Sequence, residues 1–165
     1  MARPRILLAE SHPGVAEQLR AILEVDGGFE VVAVVTDGFA AVGAAQTLKP
    51  DVVVIDIAMP RLPGIAAAME IVRGSPPPRV VFVTVHNEPE VVQRAFDVGA
   101  SGYVMKLTAG EDLVPAVNAA LRGDHYASPG VFSSQRSTVT TTTSTTTTTT
   151  ASATTTTSLG KQTPR

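Results

Sequence analysis

The stretch Asp51-Val52-Val53-Val54-Ile55-Asp56-Ile57-Ala58-Met59-Pro60 is a near-unbroken Val/Ile run with a carboxylate at each end of its core and a proline that stops it. A half-exposed strand alternates apolar and polar residues, whereas a continuous β-branched run marks a strand covered on both faces. The reading is a buried strand over 52–57, with Asp56 delivered at its C-terminal end.

Working outward, four more short apolar runs occur, Ile6–Ala9, Val31–Val35, Val80–Val85 and Tyr103–Met105. Helical spacings fall between them. Val15, Leu19, Ile22 and Leu23 mark one apolar face, Ile65, Ala68, Met69 and Val72 another, Val92, Phe96 and Gly99 a third, and Leu113, Val117 and Leu121 a fourth; the segment from about Phe39 to Leu48 is Ala-rich. Thr108-Ala109-Gly110-Glu111 reads as a capping box, with Asn87-Glu88-Pro89-Glu90 a close relative. Gly74 followed by Ser75-Pro76-Pro77-Pro78 closes the third helix. Strand and helix thus alternate five times. Right-handed crossovers turn that alternation into a parallel sheet with helices on both faces. The expected fold is an α/β, flavodoxin-like (βα)5 doubly wound sheet of strand order 2-1-3-4-5.

Composition divides the chain. All fifteen Asp and Glu lie at or before Asp124, so residues 1–130 carry ten cations against fifteen anions, a formal charge of 10 − 15 = −5. An acidic body lacks the clustered Lys and Arg that phosphate backbones require, so no direct nucleic-acid binding is expected of it. From Thr138 to Thr157, fifteen of twenty residues are Thr. Such a run offers little apolar surface to offset the entropy of ordering. Residues 1–130 are therefore expected to form the domain, and 131–165 a low-complexity, disordered tail without a DNA-binding domain. The absence of Cys excludes disulfides and thiolate metal centres. No apolar run approaches the length of a membrane helix and no signal peptide is recognisable, so a cytoplasmic protein is expected.

In open α/β sheets, ligands bind beyond the C-terminal ends of the strands. Here those ends carry Glu10-Ser11, Asp56, Thr84 and Lys106. Adjacent carboxylates favour a hard cation between them. A carboxylate can act as a nucleophile toward phosphorus, and a cation neutralises the charge on a transferring phosphoryl group. Gly27-Gly28 and Gly38 fit no phosphate-loop pattern. A flavin protein on the same topology is disfavoured by 4% aromatic content and no Trp.

Ile6-Leu7-Leu8-Ala9-Glu10-Ser11-His12-Pro13, Val53-Val54-Ile55-Asp56-Ile57-Ala58-Met59-Pro60 and Gly99-Ala100-Ser101-Gly102-Tyr103-Val104-Met105-Lys106 together resemble the receiver domain of two-component response regulators. Thr84-Val85-His86 and Gly123-Asp124-His125-Tyr126-Ala127-Ser128-Pro129 resemble the subfamily usually joined to a LuxR-type helix-turn-helix output. The resemblance implies Asp56 as phosphoacceptor, Lys106 as partner of the phosphoryl oxygens and Thr84 as switch hydroxyl. It implies Tyr103 as an aromatic that swings inward when Thr84 moves. It implies a Mg²⁺ site from Glu10, Asp56 and the backbone carbonyl of Ala58. The implied partners are a sensor histidine kinase or phosphotransfer protein. A homodimer or target would meet the face of the fourth helix, fifth strand and fifth helix. No enzymatic activity is implied beyond the domain's own phosphotransfer and dephosphorylation.

One position departs from the pattern. Ser11 stands where the family has the second acid of a pair, and a hydroxyl is a weaker Mg²⁺ ligand than a carboxylate. The alternative reading is a phosphorylation-independent pseudo-receiver, a protein-binding module on the same fold. Pro63 is expected to stiffen the loop into the third helix. His12, His86 and His125 show no ligand spacing and are assigned no chemistry.

Overall fold

A computed structural model of the protein describes residues 2–132. The central sheet is parallel, with strands β1 (Arg5–Ala9), β2 (Glu30–Val35), β3 (Val52–Ile55), β4 (Arg79–Thr84), β5 (Gly102–Met105) and β6 (Tyr126–Ala127), in the order β2-β1-β3-β4-β5-β6. The expected order of the first five strands holds. Helices α1 (Pro13–Ala21), α2 (Gly38–Leu48), α3 (Gly64–Ile71), α4 (Pro89–Asp97) and α5 (Ala109–Leu121) alternate with them. One compact unit covers Met1–Val131. Of the tail assigned by composition to 131–165, Val131 is instead part of the core, because it packs with the side of α2, α3 and α4 and donates its N–H to Ser128 O at 3.2 Å; residues 133–165 lie outside the described residues.

Strands β1, β3, β4 and β5 are buried on both sides, as continuous Val/Ile runs require, whereas β2, at the edge, buries Val31 but leaves Val34 exposed because nothing pairs beyond it. Leu7, Val53, Ile55, Phe82 and Tyr103 pack with Ala41, Ala67, Ala68, Ile71 and Ala95 on the side of α2, α3 and α4. Ile6, Leu8, Val52, Val54, Val81 and Val104 pack with Leu19, Leu23, Leu113, Ala116 and Val117 on the side of α1 and α5. Alanines dominate the α2 and α3 contacts, which lets these short helices approach the sheet closely.

Several local readings are corrected. The third strand ends at Ile55 rather than Ile57, and Val85 lies beyond the fourth strand and is exposed. Met69 is 44% exposed; α3 buries Ala67, Ala68 and Ile71 instead, because the helix begins at Gly64 and its inward face is set from there. Leu121 is also exposed, at the last turn of α5. The residues before α4 and α5 are Glu88, with Pro89 as first helical residue, and Thr108, and neither side chain makes a cap bond. Thr108 donates instead to Asp112. The first helix continues past Ala21 as a π-helical turn, Ile22–Asp26, which keeps Leu23 in the core. The strand β6 has only two residues and no hydrophobic run, so its pairing to β5 was not legible in the sequence.

The loop after β3 is held by α3. Gly64 donates its N–H to Ile57 O at 2.8 Å, and a Cβ at Gly64 would stand 2.0 Å from Asp56 O. Only a residue without a side chain allows that approach. Pro63 occupies the N-cap position of α3, directly before Gly64.

Candidate functional site

Three charged side chains meet at the carboxyl edge of the sheet. Asp56 follows β3, Glu10 follows the neighbouring β1, and Lys106 follows β5. Asp56 N–H donates to Ala9 O at 3.1 Å, which fixes the two acidic loops against each other. Lys106 Nζ donates to Asp56 Oδ2 at 2.7 Å and stands 2.7 Å from Glu10 Oε2. The second contact is an ion pair without hydrogen-bond geometry. Glu10 Oε2 is thus the one buried side-chain oxygen or nitrogen, among the described residues, that has no hydrogen bond. Glu10 and Asp56 thus both pair with the one ammonium, each at 2.7 Å.

Glu10 is 1% exposed. Its Oε1 accepts the His12 backbone N–H at 2.9 Å, and the His12 ring Nδ1 lies 3.1 Å away. Burial pushes the Glu10 carboxyl up, but Lys106 and the His12 N–H outweigh it and hold the carboxyl below its ordinary value. Burial pulls the Lys106 ammonium down, yet the two carboxylates hold it above its usual value. Both shifts favour the charged form, and the formal charge of the trio is −1 − 1 + 1 = −1. Asp56 Oδ1 accepts the Ala58 N–H at the longer distance of 3.2 Å. Ser11 is half-buried, with its Oγ 3.3 Å from His12 Nδ1.

Thr84 and Tyr103 form a second group. Thr84 is fully buried, and its Oγ1 accepts the His86 N–H at 3.2 Å. Tyr103 is 0% exposed, and its OH donates to His86 O at 2.6 Å. Its ring already lies inward, 6.3 Å between centroids from Phe96. Burial, with the charges of Glu88 and Asp56, pushes the Tyr103 hydroxyl up to about 12. The His86 peptide is gripped from both sides by these two hydroxyls. Sequence reasoning assigned His86 nothing, since the contact is made by backbone atoms that carry no residue-type signal.

The donor set fits a hard divalent cation. Magnesium is commonly held by one or two carboxylates and keeps several waters. Glu10 and Asp56 supply two carboxylates in a site of formal charge −1, and Glu10 Oε2 is ion-paired with Lys106 but makes no hydrogen bond. No cluster of three acids or histidines is present among the described residues. No helix among them is long and apolar enough to cross a membrane.

Comparisons with known proteins agree with this geometry. Residues 6–118 match the response regulator receiver domain family. The uncharacterized transcriptional regulatory protein YxjL of Bacillus subtilis is 35% identical over 120 residues, 73% of this chain and 55% of its own length. A two-component response regulator of the LuxR family from Aurantimonas sp. superposes with a TM-score of 0.74 at 35% identity, over 79% of this chain and 93% of that one. The isolated REC domain of RcsB from Salmonella enterica, in the presence of phosphomimetic BeF3-, gives 0.71 at 26% identity, over 78% and 96%. The chain spans little more than half the length of the curated relatives it matches. With β1, β3 and β5 each delivering one member of a carboxylate–ammonium–carboxylate trio to a single edge, and with a family match across all five strand–helix units, the chain belongs to the response regulator receiver domains of two-component signalling.

Proposed function

We propose that this receiver accepts a phosphoryl group on Asp56 from a phosphohistidine of a sensor kinase or phosphotransfer protein, in the cytoplasm, and changes a protein-binding face in response. The observation that carries the proposal is the 2.7 Å bond from Lys106 to Asp56 Oδ2, which leaves Oδ1 the more weakly held oxygen. Oδ1 attacks phosphorus, the O–P bond forms, the N–P bond of the donor breaks, and the departing imidazole takes up a proton. Lys106 then faces the phosphoryl oxygens, and its charge offsets theirs. Glu10, Asp56 and the Ala58 carbonyl would hold Mg²⁺, which when bound supplies further charge neutralisation.

Thr84 reads the result. Its hydroxyl accepts from the His86 N–H and turns to donate to a phosphoryl oxygen when one is present. The His86 carbonyl in turn accepts the Tyr103 hydroxyl, so the loop between β4 and α4 moves with the Thr84 hydroxyl. The bias passes to the surface of α4, β5 and α5, where a second copy or a target would bind.

The test is intact-protein mass after incubation with acetyl phosphate and Mg²⁺. A phosphoryl-sized gain in the unmutated protein and none in Asp56→Asn is expected; labelling retained in Asp56→Asn overturns the assignment.

Ser11 favours one alternative, a pseudo-receiver that binds its partner without phosphate. Under the first reading Ser11→Asp tightens Mg²⁺ binding and speeds labelling. A protein that takes no label, with or without this change, acts by the second.

A further inference from the structure

Behind Lys106 lies another buried carboxylate, which the phosphoryl chemistry does not touch. Asp112, on the first turn of α5, is 5% exposed. No cation pairs with it among the described residues; three hydroxyls donate to it instead. Thr108 Oγ1 reaches Oδ2 at 2.5 Å, Ser128 Oγ reaches Oδ2 at 2.7 Å, and Tyr126 OH reaches Oδ1 at 2.7 Å. Burial pushes the Asp112 carboxyl up, but these three donors hold it below its ordinary value. Ser128 Oγ in turn accepts the Met105 N–H at 3.0 Å.

The cluster therefore grips the chain on both sides of Lys106. Met105, just before it, is held by Ser128. Thr108, two residues after it, is held by Asp112. Within the intervening turn, Lys106–Thr108, Leu107 is 95% exposed, and the backbone is closed by the Ala109 N–H donating to Lys106 O. A lysine has four rotatable side-chain bonds and reaches a fixed point only if its backbone is fixed. Here the ammonium must satisfy two carboxylates at 2.7 Å each.

We propose that Asp112, acting with Thr108 and Ser128, is the positioning residue for Lys106, and that the segment after α5 thereby sets the competence of the phosphoacceptor site. This rests on the function proposed above. The segment is zipped to β5 by backbone bonds, Tyr126 N–H to Ser101 O at 3.0 Å and Ser128 N–H to Tyr103 O at 2.9 Å. Displacing residues 126–128 from β5 withdraws two of the three donors from Asp112, removes the Met105 anchor and lets Lys106 drift from Asp56.

The test uses the full chain and the variants Ser128→Ala, Thr108→Val and Thr108→Ser, with Glu111→Gln, an exposed neighbour outside the cluster, as control. The chain has three lysines, Lys49, Lys106 and Lys161, so the side-chain ammonium resonances are readily assigned by nitrogen-15 NMR. In the unmutated protein, Thr108→Ser and Glu111→Gln, the Lys106 ammonium gives a slowly exchanging signal. In Ser128→Ala and Thr108→Val that signal is lost, and the maximal rate of labelling by acetyl phosphate falls roughly ten- to hundredfold, the loss that removing a supporting contact behind a site typically causes. The half-saturating donor concentration changes little. Circular dichroism and the thermal midpoint report that the fold remains. An unchanged Lys106 signal in both Ser128→Ala and Thr108→Val overturns the proposal. If the unmutated protein takes no label, the function proposed above fails, while the ammonium signal still decides the role of Asp112.

Discussion

Lys106→Met removes the cation that stands 2.7 Å from both Glu10 and Asp56 and leaves two carboxylates without it, one of them fully buried. Breaking a buried pair by deleting one partner costs about 3–5 kcal/mol, because the remaining charge is uncompensated. Urea unfolding at neutral pH is expected to show a loss of about that size. Glu10→Gln in the same background recovers much of it. The pH dependence has a definite sign. The native Glu10 carboxyl is depressed, so its contribution is present above the ordinary value of 4.5 and is lost as pH falls through the folded value. The deficit of Lys106→Met relative to the unmutated protein therefore narrows in acid; a deficit that widens there contradicts the pairing. The members of this trio were legible in the sequence because each ends an apolar run. The ammonium's pairing with both acids was not, since it depends on how far β5 stands from β1 across β3 and β4. Asp112 was also hidden: an acid inside a helical pattern reads as solvated, and only the return of Ser128 and Tyr126 against α5 reveals it as buried.

At the scale of elements, the start of α3 is pinned to the loop that follows β3. Gly64→Ala places a methyl group 2.0 Å from Asp56 O, so either the helix retreats or the loop yields. Overpacking of this kind costs roughly 1–3 kcal/mol. Because the strained atom belongs to Asp56 itself, labelling by acetyl phosphate is expected to fall more than stability does. Gly43→Ala, inside α2 with open space around its Cβ, is the control; it is expected to leave labelling unchanged and to raise stability by about 0.5–1 kcal/mol through helix propensity. Equal, small effects at both positions remove the argument for the close approach. Five strands and five helices could be placed from periodicity, and their boundaries held to within about two residues. The misplacements have separate causes. Met69 lies off the inward face of α3 that Ala67, Ala68 and Ile71 form, Leu121 stands at the exposed last turn of α5, and Thr108 mimics a cap whose hydroxyl donates to Asp112 instead.

For the molecule as a whole, Tyr103 and Tyr126 are its only tyrosines, and it has no tryptophan. Both hydroxyls are pushed up to about 12, Tyr103 by burial and the charges of Glu88 and Asp56, Tyr126 by burial and its bond to Asp112. A neutral acid whose folded value is raised holds its proton more tightly in the native state. Its stabilising contribution is complete below the ordinary value of 10.0 and is lost as pH climbs toward about 12. Tyrosinate absorbance is expected to stay low through pH 10 in the folded protein and to rise in step with unfolding. Half of the signal appearing near pH 10 with the fold intact shows that one hydroxyl is exposed. Both tyrosines serve the same neighbourhood, one beneath the loop after β4 and the other beside α5, so alkaline unfolding is expected to open the α4–β5–α5 side first.

The two margins of the sheet bear on how molecules meet one another. At one margin, β2 is a six-residue strand rich in valine, the kind of ribbon onto which a stray chain could lay itself. Its ladder with β1 slips between Ile6 and Leu7, leaving Val32 without a partner and the strand bent. At the other margin, β6 stops after two residues. A kinked rail on one side and a stub on the other give fibres no straight template to grow from. Both margins thus disfavour growth by lengthening the sheet and leave the helices as the surfaces for a neighbour to meet.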